Sequence, residues 1–146
     1  VDEMLAGLIR SWEAVEAGAR IVGTGRSDFP NQINNSLGFP AIFRGTLDVF
    51  AKTITDEMAI AAAEAIAKNA EEKGLREDYI VPSMMDLDVF VNEAVAVGLK
   101  AIEQGVARRV LPKAELRKQA ETMIRHARAE VEILQKQGHI PPPPKV

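Results

Sequence analysis

The residues best suited to chemistry lie close together between Thr24 and Pro40. Ser27, Asp28, Asn31, Gln32, Asn34, Asn35 and Ser36 alternate there with Gly25, Pro30, Gly38 and Pro40, a density of polar and turn-forming types that marks loops or broken helix. Phe29, Ile33, Leu37 and Phe39 recur among them, so the segment is expected to be packed rather than frayed. A packed, polar, irregular segment that follows a strand is a good place for a ligand site. Each candidate also has a plainer reading. Asn-Asn in a loop is ordinarily a turn or a helix cap. Gly23-Thr24-Gly25 lacks the third glycine of a dinucleotide fingerprint and reads as a tight turn. Arg26 and Asp28 can simply pair with each other.

Groups that move protons or hold metals are sparse elsewhere. There is no cysteine, which removes disulfides, thiolate nucleophiles and cysteine metal sites. His126 falls mid-helix among charges and His139 in the tail, so both are expected to be exposed and structural. Tyr79, the one tyrosine, has nothing catalytic in its setting. Most Asp and Glu residues fall on solvated helix faces, and no pair has a metal-ligand arrangement.

The elements that must position the loop are mainly helical. Val1 to Gly18 reads as a helix, with Leu5, Leu8 and Ile9 on one face. Ala19 to Gly23 reads as a buried strand, the only convincing one, and a lone strand needs partners from elsewhere. That is a physical hint of further chain. Ala41 to Phe50 predicts a short helix. Thr55 is the N-cap of the next, with Asp56 and Glu57 against its positive end, and Gly74 stops it. Ala59 to Ala63 is small enough for close contact with another helix. Tyr79 to Pro82 is an extended connector, and Asp86 or Asp88 starts a helix that ends near Gly105. Pro112 fits the first turn of the last helix. Leu116, Ala120, Met123, Ala127, Val131 and Leu134 form a narrow stripe along it, which calls for a partner surface in the same chain or another subunit. Pro141 to Pro144 predicts a stiff polyproline tail.

The 146 residues suffice for one domain. Hydrophobic residues make up 47% and aromatics only 5%, so the core must be built from Ala, Val, Ile, Leu and Met. A net charge of −3, with the two signs interleaved, argues against a nucleic-acid partner. No apolar run approaches the roughly 20 residues that cross a bilayer. Asp2 and Glu3 stand where a signal peptide would be basic. These features fit a cytoplasmic protein with no membrane partner.

The run Thr24-Gly25-Arg26-Ser27-Asp28-Phe29-Pro30-Asn31-Gln32-Ile33-Asn34-Asn35, followed by Leu37-Gly38-Phe39-Pro40-Ala41-Ile42-Phe43-Arg44-Gly45, resembles malic enzymes of the bacterial and archaeal branch. Ala17 to Val22, Leu47 to Val49, Ala51 to Thr55 and Gly105 to Arg108 look like the same family. The resemblance covers roughly Glu13 to Arg109. It implies an α/β fold: residues 1–110 as the C-terminal part of a Rossmann-type NAD(P)-binding domain, mostly helical here with one or two strands. Residues 111–140 would be a C-terminal helix and 141–146 a Pro-rich tail.

The resemblance also implies a reaction, the NAD- or NADP-dependent oxidation of malate and its decarboxylation to pyruvate with Mg or Mn. By that resemblance Asn35 hydrogen-bonds malate near the nicotinamide, where an amide offers two donors and an acceptor without adding a charge. Asn34 belongs to the same neighbourhood. Thr24, Gly25, Ser27 and Asn35 lie where a dinucleotide approaches. The family's acid–base tyrosine and lysine, its metal carboxylates and its glycine-rich phosphate loop all lie upstream of such a segment. Partners would therefore be the remaining malic enzyme chain and further subunits of a homo-oligomer. Two departures stand out: Met4-Leu5-Ala6-Gly7 where the family has an Asn-Pro segment, and Ala41 where it commonly has glycine. The contrasting reading is a helical interaction module that keeps the fold but no chemistry.

Overall fold

Residues 10–141 are described by a computed structural model. In chain order they form a short helix α1 (Ser11–Glu16) and a single 3-10 turn (Asn35–Leu37) that leads into α2 (Phe39–Asp48). Three longer helices follow: α3 (Asp56–Glu72), α4 (Leu87–Glu103) and α5 (Lys113–Lys136).

Local chemistry sets these boundaries. Thr55 Oγ1 accepts the Met58 N–H at 3.2 Å, and Asp56 and Glu57 sit in the first turn of α3. Gly74 and Gly105, past the ends of α3 and α4, take φ of +87° and +68°, the left-handed conformation that ends helices. Asp86 caps α4 through the Asp88 N–H. Helix α2 starts two residues before the expected Ala41 because Pro40 fits its first turn. It stops at Asp48, since Phe50 turns to φ +49°. Pro112 is the N-cap of α5 rather than a residue of its first turn.

Helix α4 is the centre of the packing, with α2, α3 and α5 laid against it. Val49, Met58, Ala62, Val95, Val97, Ala101, Leu111 and Leu116 form the main core, and Ala41, Ala94 and Ala120 a second cluster. Small residues let α2 approach α4 closely: a Cβ at Gly45 would lie 2.3 Å from the Ala94 carbonyl oxygen. The buried Asp48 ties α2 to α5, pairing with Arg44 and accepting a 2.7 Å hydrogen bond from Gln119.

Two expectations change. The strand at residues 19–23 does not form among the described residues. Backbone pairing there is limited to an isolated parallel bridge between Thr24 and Gln32, and a second bridge joins Arg76 to Tyr79. A ladder needs a neighbouring strand, and the described residues offer only helices and loops, so Ile21 is left exposed. The first helix is limited to Ser11–Glu16, and Leu5, Leu8 and Ile9 lie outside the described residues, as do residues 142–146 of the tail. The stripe on α5 is covered only at its start: Leu116 and Ala120 are buried, whereas Met123, Val131 and Leu134 are exposed. No helix among the described residues is long and apolar enough to cross a membrane.

Candidate functional site

The polar segment between α1 and α2 is ordered by its own side chains. Thr24 donates its N–H to the Asn31 carbonyl at 3.3 Å and accepts the Ile33 N–H at 2.8 Å, which closes residues 24–33 into a loop. At its tip Arg26 pairs with Asp28 at 2.6 Å and lies over the Phe29 ring, which stacks on Trp12. The hydrogen bond from Arg26 holds the Asp28 carboxyl below its ordinary range. This pair is the plainer reading of the two residues, and they are engaged with each other.

Asn31 anchors the loop. Its Nδ2 donates to the carbonyls of Val22 (3.2 Å) and Glu77 (2.7 Å), and its Oδ1 accepts the Ile80 N–H at 2.9 Å. It is buried and adopts φ +55°, a left-handed conformation that asparagine tolerates better than most residues. Sequence reasoning did not single it out. The available signal was Pro30-Asn31, a pair suited to the two central positions of a turn with positive φ at the second.

Asn34 and Asn35 have different roles. Asn34 is the N-cap of the 3-10 turn, its Oδ1 accepting the Ser36 N–H at 3.0 Å and the Ser36 hydroxyl at 2.9 Å. The Ser36 hydroxyl also contacts the Met84 sulfur. Asn35 is exposed, and its side-chain amide makes no hydrogen bond among the described residues. Its backbone carbonyl accepts the Gly38 N–H at 3.1 Å.

One recess borders this region, and a second lies elsewhere on the molecule. The first, of about 300 Å³, lies between the loop and the connector at residues 78–85, with Ser27, Phe29, Asn31 and Gln32 on one wall and Tyr79 and Pro82 among the other. Ser27 opens into it. Thr24, Gly25, Asn34 and Asn35 do not line it; Gly25 and Asn35 are exposed and Thr24 is half-buried. A larger groove of about 550 Å³ runs between α3 and α4 and holds none of the expected site residues. His126 and His139 are exposed. Among the described residues no group of three or more Asp, Glu or His side chains is placed to hold a metal ion.

Residues 19–104 match the family model described as malic enzyme, NAD binding domain. That match spans more than half of the chain. The chain belongs to the malic enzyme family. It is 57% identical over 96 residues to the bifunctional malic/malolactic enzyme of Bacillus subtilis, covering 66% of this chain and 23% of that protein. It is 50% identical over 97 residues to the NAD-dependent malic enzyme of Geobacillus stearothermophilus, covering 66% and 20%. The crystal structure of the Entamoeba histolytica malic enzyme superimposes with a TM-score of 0.90 at 47% identity, over 94% of this chain and 28% of that one. The malic enzyme of Pyrococcus horikoshii gives 0.81 at 48%, over 88% and 29%. The chain thus spans less than a third of the length of these malic enzymes. The helical assembly around α4 is a section of their NAD-binding domain. No strand of a Rossmann-like sheet forms among the described residues.

Proposed function

We propose that this chain is part of a malic enzyme that catalyses the NAD- or NADP-dependent oxidative decarboxylation of malate to pyruvate and carbon dioxide. When bound, the dinucleotide would supply a hydride acceptor and a divalent cation, Mg or Mn, would supply a Lewis acid for the decarboxylation. The chain's own residues bind and orient. The observation that carries this reading is the division of labour at Asn34-Asn35. Asn34 is spent on the cap, which holds the 3-10 turn in shape, while the Asn35 amide is exposed and makes no hydrogen bond among the described residues. An amide presented on a braced turn suits a malate carboxylate or hydroxyl, since it satisfies either partner without adding a buried charge.

Thr24, Gly25, Ser27 and Asn35 are the residues proposed to meet the dinucleotide. Only the Ile33 carbonyl oxygen lies near the Cβ position of Gly25, at 3.8 Å, so the backbone is open to close approach there. The metal ligands come from the rest of the enzyme. The protein is proposed to work in the cytoplasm as a homo-oligomer, with the uncovered half of the α5 stripe as one surface for a subunit.

In the full-length enzyme Asn35→Ala is expected to lower kcat/KM for malate by about 5- to 150-fold, equivalent to about 1–3 kcal/mol for an unpaired polar partner. Its melting temperature should stay within about 1 °C of the wild type, because an exposed side chain with no partner contributes little to the fold. Unchanged kinetics would remove Asn35 from the site.

A further inference from the structure

Glu93 lies in the middle of α4 with no exposed surface, and neither carboxylate oxygen has a hydrogen-bond partner among the described residues. Val89 and Val97, one turn to either side, are equally buried. Its Oε1 faces Gly38: a Cβ added there would lie 3.5 Å away. Gly38 closes the 3-10 turn by donating its N–H to the Asn35 carbonyl, and its own carbonyl accepts the Ile42 N–H to begin α2, both at 3.1 Å. One backbone residue therefore separates the buried carboxyl from the turn that presents Asn35.

An unpartnered carboxylate is costly in such a place, and burial alone pushes the Glu93 carboxyl up to about 8. Among the charged groups on the elements around α4, Arg44 pairs with Asp48, although the buried Arg44 Nε and Asp48 Oδ2 have no partner among the described residues; Lys73 pairs with Asp86 and Arg117 with Asn92. Glu64, Lys68 and Glu72 of α3, and Lys113 of α5, line the open groove beside Asn92 and Lys100. The 3-10 turn carries no charge.

We propose that Glu93 is a positioning residue for the Asn34-Asn35 turn, its protonated carboxyl forming the floor beneath Gly38 and its ionisation opening the turn. The consequence for malate rests on the function proposed above; the opening itself does not. The sign follows from linkage. The closed turn holds the proton more tightly than the open one, so its stability is complete below the ordinary glutamate value and is lost as pH rises towards about 8. Within that window opening becomes about tenfold easier per pH unit. Neutral pH lies inside it.

The test is amide hydrogen exchange in residues 34–42 of the full-length protein, corrected for intrinsic rates, between about pH 6 and about pH 7.5. In the wild type, exchange is expected to rise by roughly tenfold or more across this range, whereas Glu93→Gln, which mimics the neutral acid, stays flat. Should Glu93→Gln fold poorly, Glu93→Met offers an uncharged, unbranched substitute with the same expectation. A flat wild-type profile, or a variant that rises in parallel with it, overturns the proposal. Failure of the malate reading shows up separately, as absence of malate oxidation in the wild type, and leaves the exchange comparison intact.

Discussion

Asn31 joins three stretches of backbone through one side chain. Removing it leaves the carbonyls of Val22 and Glu77 and the N–H of Ile80 without their partners, and forces a residue with no special tolerance into φ +55°. Asn31→Ala is therefore expected to cost about 2–4 kcal/mol of stability in chemical unfolding, whereas Asn31→Gly, which keeps the backbone conformation, should cost less. Equal losses in the two variants would show that backbone conformation contributes nothing. Asn34 and Asn35 are adjacent and identical in type, yet one is turned into its own backbone and the other out to solvent. Their types identify hydrogen-bonding groups; only the fold separates cap from candidate ligand.

At the scale of elements, the contact between α2 and α4 depends on missing side chains. A Cβ at Gly45 would meet the Ala94 carbonyl at 2.3 Å and Val97 Cβ at 2.8 Å, and neither can swing aside. At Gly98 the nearest atoms, the Gly45 carbonyl oxygen and the two methyl groups of Leu116, are all at 3.4 Å. Gly45→Ala is expected to destabilise the protein by about 1–3 kcal/mol or more, and Gly98→Ala by appreciably less, when both are followed by thermal unfolding. A reversed order would mean that α2 shifts freely on α4. The caps at Thr55 and Asp86 and the stop at Gly74 were legible because they depend on residues within one turn of each other. The Gly45 crossing was not, because it depends on where α4 lies. Glu93 had a local signal, falling four residues after Val89 and four before Val97 on the buried stripe of α4. Its carboxyl group argued for solvent, and the packing overrode it.

At the scale of the molecule, several surfaces look unfinished. Phe39, Phe43 and Leu47 lie at four-residue spacing along α2, and all three are exposed. Ile21 is exposed too, next to a lone backbone bridge. The chain spans less than a third of the length of the malic enzymes it matches, and in the proposed full-length enzyme the rest of the polypeptide is what would cover these surfaces. The 146 residues by themselves are accordingly expected to form no NADH or NADPH from malate in a spectrophotometric assay, since they span less than a third of the length of the malic enzymes they match. Turnover by the purified 146-residue polypeptide would sink that expectation.

The amino-acid sequence alone determined what is written in short range or in an unusual run. The helices from Thr55 to Gly74 and from Asp86 to Gly105 follow from caps and periodicity, and the stretch from Thr24 to Gly45 carries the family. Strand formation at residues 19–23 was beyond its reach, because a strand is a property of its neighbours and not of its own side chains. The tertiary structure alone decided that Asn31 clamps the loop, that Asn34 caps while Asn35 stays free, and that Glu93 is sealed beneath Gly38. The Asn31 clamp and the burial of Glu93 depend on groups brought together from distant parts of the chain, and burial, which sets the energy of an amide or a carboxyl, exists only after that assembly.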